Sequence, residues 1–264
     1  MKLRRQGKLV AVVTGASSGI GQATAMRLGA MGVCVVLASR RKERLHQVAD
    51  EITAAGGTAS VAQVDVSDRS QIRTLVADVL AQHGAIDILV ANAGTYVRGP
   101  VTALAPEDFA RSMNVNFSGA LDLIYEVLPH MLARRRGHIV AVSTVDAKKG
   151  LPFDAPYVAA KAALTGFMDV LRQELRGSGV YTSTILPGRV DTPMIDFLTV
   201  PLISRKISPE TVANALVRAI EKNTPEVVIP WVGPKALIVL AACSAALGDF
   251  FVRILGLEGK SQSH

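Results

Sequence analysis

The chain has 264 residues, 49% hydrophobic and 19% charged, which excludes a disordered chain and supplies ample material for a core. Two cysteines, Cys34 and Cys243, exclude a disulfide scaffold and a zinc site of the Cys-x-x-Cys type; the five histidines show no ligand spacing, so no metal is expected. A formal charge of +7 leaves nucleic acid, an anionic membrane or an anionic ligand for the motifs to decide between.

Apolar β-branched runs alternate with helical patterns along the chain. Leu9–Val13 reads as a buried strand, Gly15–Gly21 as a loop and Gln22–Met31 as a helix. Val33–Ala38 is the next strand and Lys42–Ala55 the next helix. Strand Ala59–Val64, a helix around Arg69–Gln82 and strand Ile86–Val90 follow. The pattern then predicts one long helix over about Phe109–Arg135. The basic run Arg134–Arg136 closes it, complementing the helix dipole, with Gly137 as the stop. Strand His138–Val142, helix Tyr157–Arg176, strand Val180–Leu186, helix Pro209–Lys222 and strand Glu226–Ile229 complete the series. This alternation implies right-handed βαβ crossovers and an α/β fold, a parallel sheet of about seven strands with helices on both faces. No linker or repeat divides the chain, so 1–264 reads as one domain with an apolar C-terminal extension at 235–258. Ser204–Ser208 and Gly259–His264 read as loosely ordered, and His46, His83, His130, His138 and His264 as surface or loop residues.

The first strand runs into Thr14-Gly15-Ala16-Ser17-Ser18-Gly19-Ile20-Gly21. Gly15 permits a tight turn, Gly19 lets a pyrophosphate approach the backbone, and Gly21 lets the helix pack on the strand. An anion then meets the amides and dipole of a helix N-terminus, with Ser17, Ser18 and Ile20 around it. The spacing departs from Gly-x-Gly-x-x-Gly and lacks the Lys-Ser/Thr ending of a nucleoside-triphosphate loop. After the second strand, where an acid would bind the 2′-hydroxyl of NAD, the chain reads Ser39-Arg40-Arg41. A guanidinium suits a 2′-phosphate, so NADP(H) is expected over NAD(H). Asp65-Val66 ends the third strand; Asp65 could accept from the adenine amine or cap the next helix, a role that Ser67 or Asp68 suits better. Asn92-Ala93-Gly94 ends the fourth strand, with small residues that let backbone lie against a flat ring.

Tyr157 and Lys161 stand four apart and share a helix face. A nearby ammonium stabilises a phenolate and suits the pair to proton exchange with an alcohol or carbonyl oxygen. The same face continues through Leu164, Met168, Leu171 and Leu175 towards the core, where a cationic Lys161 needs a partner.

Over about residues 8–230 the chain resembles the short-chain dehydrogenase/reductase family of the classical type. The resemblance rests on Thr14–Gly21, Asn92–Gly94, Asn116, Tyr157 with Lys161, and Pro187-Gly188 followed by Thr192. It implies a single Rossmann-type doubly wound sheet, with Tyr157 as catalytic acid/base and Lys161 binding the nicotinamide ribose and tuning the tyrosine. Asn116 would hold a relay water, and Pro187, Gly188 and Thr192 would line the nicotinamide and pyrophosphate. The family's serine, thirteen residues before the tyrosine, falls on Thr144, with Ser143 just before it. Threonine keeps the hydroxyl donor and adds a methyl; a one-residue slip would restore Ser143.

The expected activity is NADP(H)-dependent interconversion of a secondary alcohol and a carbonyl. The cleft segments Thr95–Arg98, Val145–Ala155 and Pro193–Pro209 mix Tyr96, Val97, Leu151, Pro152, Phe153, Met194, Ile195, Phe197 and Leu198 with Lys148, Lys149, Asp154 and Asp196. They reveal no specific ionic anchor, and their apolar bias favours an apolar small-molecule substrate. The alternatives are a 3-oxoacyl thioester reductase, with Arg134–Arg136 docking an acidic carrier, and a non-catalytic NADP-binding regulatory or scaffold protein. No basic stretch is interleaved with aromatics, so nucleic acid is not expected as a partner. The family implies a homodimer or homotetramer, through helices such as Ala159–Arg176. Residues 235–258 read either as a peripheral membrane contact or as a subunit contact or cap over the cleft. Leu9–Val13 is too short for a signal peptide core and no apolar run is long enough to span a bilayer, so a cytoplasmic or membrane-peripheral location is expected.

Overall fold

The computed structural model describes residues 9–230 and 232–261. In chain order these form β1 (Val10–Thr14), α1 (Gly19–Gly29), β2 (Cys34–Ser39), α2 (Lys42–Ala54), β3 (Thr58–Gln63), α3 (Arg69–His83) and β4 (Ile88–Ala91). Then come α4 (Pro106–Met113), α5 (Gly119–Ala133), β5 (Gly137–Val142), α6 (Ala155–Glu174), β6 (Val180–Pro187) and β7 (Leu198–Thr199). The chain continues through α7 (Pro209–Lys222), β8 (Glu226–Ile229), α8 (Val232–Cys243), α9 (Ala245–Ile254) and β9 (Lys260–Ser261).

Seven strands form one parallel sheet in the order β3-β2-β1-β4-β5-β6-β8. Successive side chains of a strand point to opposite faces, so the buried β1 feeds two cores at once. Val10 and Val12 join Ile72, Leu123, Ile124, Leu164 and Met168 beneath α3, α5 and α6. Ala11 and Val13 join Leu28, Leu45, Leu216 and Ile220 beneath α1, α2 and α7. The strand order reverses between β1 and β4, which opens a crevice at the carboxyl ends of the strands.

The single helix expected over Phe109–Arg135 is two helices joined by a π-helical turn, Asn114–Ser118. The widened turn buries Asn116 and lets its amide grip the chain after β4: Oδ1 accepts from the Thr95 amide at 3.1 Å and Nδ2 donates to the Thr95 carbonyl at 2.9 Å. The apolar pattern runs on through the turn, so it carries no sign of it. The stop after the basic run also differs. α5 ends at Ala133 and the chain reverses at Arg135, whose φ is +49°. Gly137 instead starts β5, where a Cβ would lie 2.3 Å from Met131 Sδ. Arg134 and Arg136 turn inward onto the buried Asp87, at 2.8 and 3.5 Å.

His138 is not a surface or loop residue. It lies fully buried in β5, with Nε2 2.8 Å from Ser183 Oγ, and burial pushes its pKa down to about 4. Between pH 6.5 and 4 the unfolded chain therefore binds a proton that the folded chain refuses, and stability drains away as pH falls through that window. The expected contribution is about 3 kcal/mol. Urea unfolding at pH 7 and pH 4.5 should show a flatter pH dependence in His138→Gln than in the wild type.

Ile207 and Ser208 and the described part of 259–264 are held by defined backbone and side-chain contacts. Ile207 bridges to Val190, Ser208 caps α7 through the Thr211 amide, and β9 pairs antiparallel with β7. Residues 262–264 lie outside the described residues. The apolar extension folds as a hairpin of α8 and α9, tied to the body by Lys149 and Asp249 at 2.5 Å. Val239, Leu247, Phe250 and Ile254 remain exposed on it. No helix among the described residues is long and apolar enough to cross a membrane.

Candidate active site

A cleft of about 720 Å³ opens along the carboxyl ends of the strands, lined from Gly15 and Arg41 at one end to Tyr157, Asp154 and Leu198 at the other. Its floor is the turn between β1 and α1, where Gly15 and Gly19 have φ of +65° and +56°. A Cβ on Gly21 would fall 2.3 Å from the Gly15 carbonyl oxygen, and one on Gly15 2.8 Å from Asn92 Nδ2, so only glycine fits at either place. Thr14 fastens the floor to its neighbour: its Oγ1 accepts from the Asn92 and Ala93 amides at 3.0 and 3.1 Å and donates to the Val90 carbonyl at 3.2 Å. Helix α1 begins without a side-chain cap and without an acid in its first turn. Its first amides are therefore open to an anion, which the dipole favours. This bare cradle fits the diphosphate of a dinucleotide.

Arg41 reaches across the glycine loop and donates to Ser17 Oγ at 2.9 Å and Ser18 Oγ at 2.7 Å. Ser39 Oγ accepts from the Arg41 amide at 3.2 Å. The Arg40 guanidinium is largely exposed, 3.9 Å from Asp65. Asp65 folds onto its own turn, accepting from the Ser67 amide and hydroxyl at 2.9 and 2.7 Å. The cap of α3 is Asp68, whose carboxylate accepts from the Ser70 and Gln71 amides. Val66, Asn92, Ala93, Gly94, Pro187, Gly188 and Thr192 all line the cleft. Gly94 leaves room for Asn116, since a Cβ there would stand 2.7 Å from Asn116 Oδ1.

Tyr157 and Lys161 enter from α6. The buried Lys161 Nζ finds its partner in the Val142 carbonyl at 2.8 Å and lies 5.9 Å from the centre of the Tyr157 ring. Burial brings the lysine down to about 8. The tyrosine does not come down beside it. Burial pushes its pKa up, and Asp146, Tyr96 and Asp154 push the same way. Tyr157 therefore keeps its proton through the neutral range.

The two hydroxyls at the end of β5 point to different places. Ser143 Oγ turns away from the cleft mouth, donating to the Lys161 carbonyl at 3.1 Å and standing 2.8 Å from Thr165 Oγ1. Thr144 Oγ1 turns towards Asp146, donating to its Oδ2 at 3.2 Å and accepting from its amide at 3.2 Å.

The Tyr157 end of the cleft holds an ionic cluster built from the cleft segments; the sequence places Tyr96 and Asp154 there but reveals no ionic anchor. Arg98 Nη1 donates to Asp154 Oδ1 at 2.5 Å, and Tyr96 Oη donates to the same oxygen at 2.6 Å. The Arg98 and Asp154 side chains are only 7% and 4% exposed, so the pair is desolvated. The Tyr96 ring meets that of Tyr157 edge-on at 5.1 Å. Arg98 Nη2 holds the Glu258 carbonyl at 2.6 Å, and Arg189 holds the Leu257 carbonyl and Ser204 Oγ. The closing segment is thus clamped by arginines that follow β4 and β6. No local pattern announces these contacts, which span up to 160 residues of chain.

The family model for short chain dehydrogenase matches residues 9–199. This chain belongs to the short-chain dehydrogenase family. The family gives an oxidoreductase, and relatives agree. An uncharacterized oxidoreductase of Listeria innocua, Lin0452, is 38% identical over 192 residues, 72% of this chain and 77% of the relative. The ketoacyl reductase HetN of a Nostoc species is 35% identical over 226 residues, 84% of this chain and 78% of the relative. The crystal structure of a single-residue variant of actinorhodin polyketide ketoreductase with NADPH superposes with a TM-score of 0.79 at 31% identity, covering 87% of this chain and 97% of that one. The seven-stranded parallel sheet with helices on both faces is the Rossmann-type fold of this family.

Proposed function

We propose that this chain is an NADP(H)-preferring reductase that converts a ketone on a largely apolar substrate to a secondary alcohol. The observation that carries this reading is the convergence of Tyr157, Lys161, Asn116 and Thr144 on the cleft whose floor is the glycine cradle. Gly15, Ser17, Ser18, Gly19, Ile20 and Gly21 would hold the diphosphate, and Ser39, Arg40 and Arg41 the 2′-phosphate end. Asp65 and Val66 would border the adenine, and Asn92, Ala93, Gly94, Pro187, Gly188 and Thr192 the nicotinamide half. The bound nicotinamide supplies the hydride that the chain itself lacks.

The protein's own part is the proton. A neutral Tyr157 phenol donates to the carbonyl oxygen as negative charge develops there. Lys161 holds a positive charge close by, anchored on the Val142 carbonyl. Thr144 offers the second donor to the same oxygen. Ser143 fills a structural place, because its hydroxyl is spent on α6. Thr144→Ala is expected to lower kcat/KM by about 10- to 100-fold. Ser143→Ala should cost about 1–2 kcal/mol of stability and leave kcat/KM nearly unchanged. NADPH absorbance and urea unfolding read the two effects.

The names of two relatives, a ketoacyl reductase and a polyketide ketoreductase, favour a 3-oxoacyl chain as the ketone. Docking of an acidic carrier on Arg134–Arg136 has less support, since Arg134 and Arg136 are engaged by Asp87 and Arg135 by the Gly177 carbonyl. The exposed strip of Ala159, Gly166 and Val170 along α6 suits the subunit contact expected of the family. NADPH consumption measured against simple ketones and 3-oxoacyl thioesters tests the proposal. Consumption with neither, in protein that binds NADPH, would overturn it.

A further inference from the structure

The geometry points to Asp146 as a positioning residue that sets which way the Thr144 hydroxyl points, so that the site is fully competent only when Asp146 carries a proton. The inference rests on the proposed role of Thr144. An ionised carboxylate only accepts hydrogen bonds, and it takes the Thr144 proton at 3.2 Å. The Asp146 amide meanwhile occupies a lone pair of the same oxygen at 3.2 Å. The threonine is then left with acceptor capacity alone, the wrong polarity for a carbonyl oxygen gaining negative charge. A protonated Asp146 reverses the bond: its hydroxyl donates to Thr144 Oγ1, and the threonine proton turns to the substrate.

The surroundings hold Asp146 near this change at ordinary pH. Burial disfavours its charge, and Asp154, at the start of α6, repels it further. Arg189 after β6, Arg98 in the loop after β4, and the Thr144 hydroxyl work the other way. Tyr157 on α6 and Tyr96 after β4 face the cluster as neutral phenols whose pKa values burial raises. The balance pushes Asp146 up to about 6. As pH rises through that value the carboxylate forms and captures the threonine proton.

The test is Asp146→Asn, which keeps the shape and presents an amide N–H to Thr144 Oγ1 at every pH. With acetoacetyl-N-acetylcysteamine and NADPH, the wild type should lose kcat/KM as pH rises above about 6, and Asp146→Asn should lack that inflection. At pH 7.5 the variant should be faster by roughly 10-fold. The reaction equilibrium fixes the ratio of forward to reverse kcat/KM at a given pH, so alcohol oxidation should rise by the same factor. A second arm needs no turnover. In difference infrared titration, the carboxyl band missing from Asp146→Asn should have its midpoint at about 6 and move upward in Thr144→Val, which removes a hydrogen bond to the charged form. Superimposable pH profiles, or a band at the ordinary aspartate position that ignores Thr144→Val, would overturn the inference. If wild-type protein binds NADPH but reduces no ketone, the proposed function fails, and the infrared arm still decides the coupling of Asp146 to Thr144.

Discussion

Tyr157→Phe should reduce turnover by about 1,000-fold while leaving NADPH affinity within about threefold of wild type. The phenylalanine ring keeps the edge contact with Tyr96 that packs the position. Lys161 keeps its bond to the Val142 carbonyl, so the cation stays in place. What disappears is the hydroxyl of Tyr157, whose side chain lines the cleft with Lys161. Because Tyr157 sits far above the neutral range, wild-type reduction should show no loss on the acid side from this group. A fall towards high pH should belong instead to Asp146 above about 6 and then to Lys161, which sheds its charge near 8. Stopped-flow NADPH absorbance gives the rate, and NADPH fluorescence gives the affinity. Turnover at the wild-type rate would remove Tyr157 from the reaction altogether.

Arg41→Asp should lower kcat/KM with NADPH by about 100-fold and change kcat/KM with NADH by no more than about threefold. Arg41 is the better placed of the two arginines, since its guanidinium already lies on Ser17 and Ser18 at the edge of the glycine cradle. Arg40 is the more exposed. The substitution also separates charge from folding. Arg41 stands at the N-cap of α2 and gives no cap bond with its side chain, whereas aspartate is among the preferred caps. The helix should therefore hold or gain stability, and a loss confined to NADPH would report the phosphate alone. Equal losses with both cofactors would show that Arg41 braces the loop and does not read the phosphate.

The parts of this structure that sequence reveals are those written in local periodicity. The buried runs of β1, β2, β4 and β5 stand out because strands covered on both faces carry almost unbroken apolar sequence. The glycine cradle and the Tyr157–Lys161 pair are equally local, one a turn and the other a single helix turn. The π-helical turn at Asn114–Ser118 stays hidden because one widened turn barely changes an apolar helical pattern. His138 begins an expected strand, but a polar residue there reads as exposed until its buried partner, Ser183, is known. The choice between Ser143 and Thr144 turns on which face each takes at a strand end, and a shift of one residue reverses it. The cluster of Tyr96, Arg98, Asp154 and Arg189 depends on loops after β4 and β6 meeting the Leu257–Glu258 segment, which no window of sequence contains.

That meeting has a consequence for biosynthesis. Leu257 to Ser261 leave the ribosome after every strand of the main sheet has been made. A chain stalled or nicked near Leu255 would still own the dinucleotide floor, the tyrosine and the lysine, yet Arg98 and Arg189 would have lost the backbone carbonyls they grip. Such a product would keep the spectroscopic look of the native fold while leaking solvent at one end of its reaction chamber.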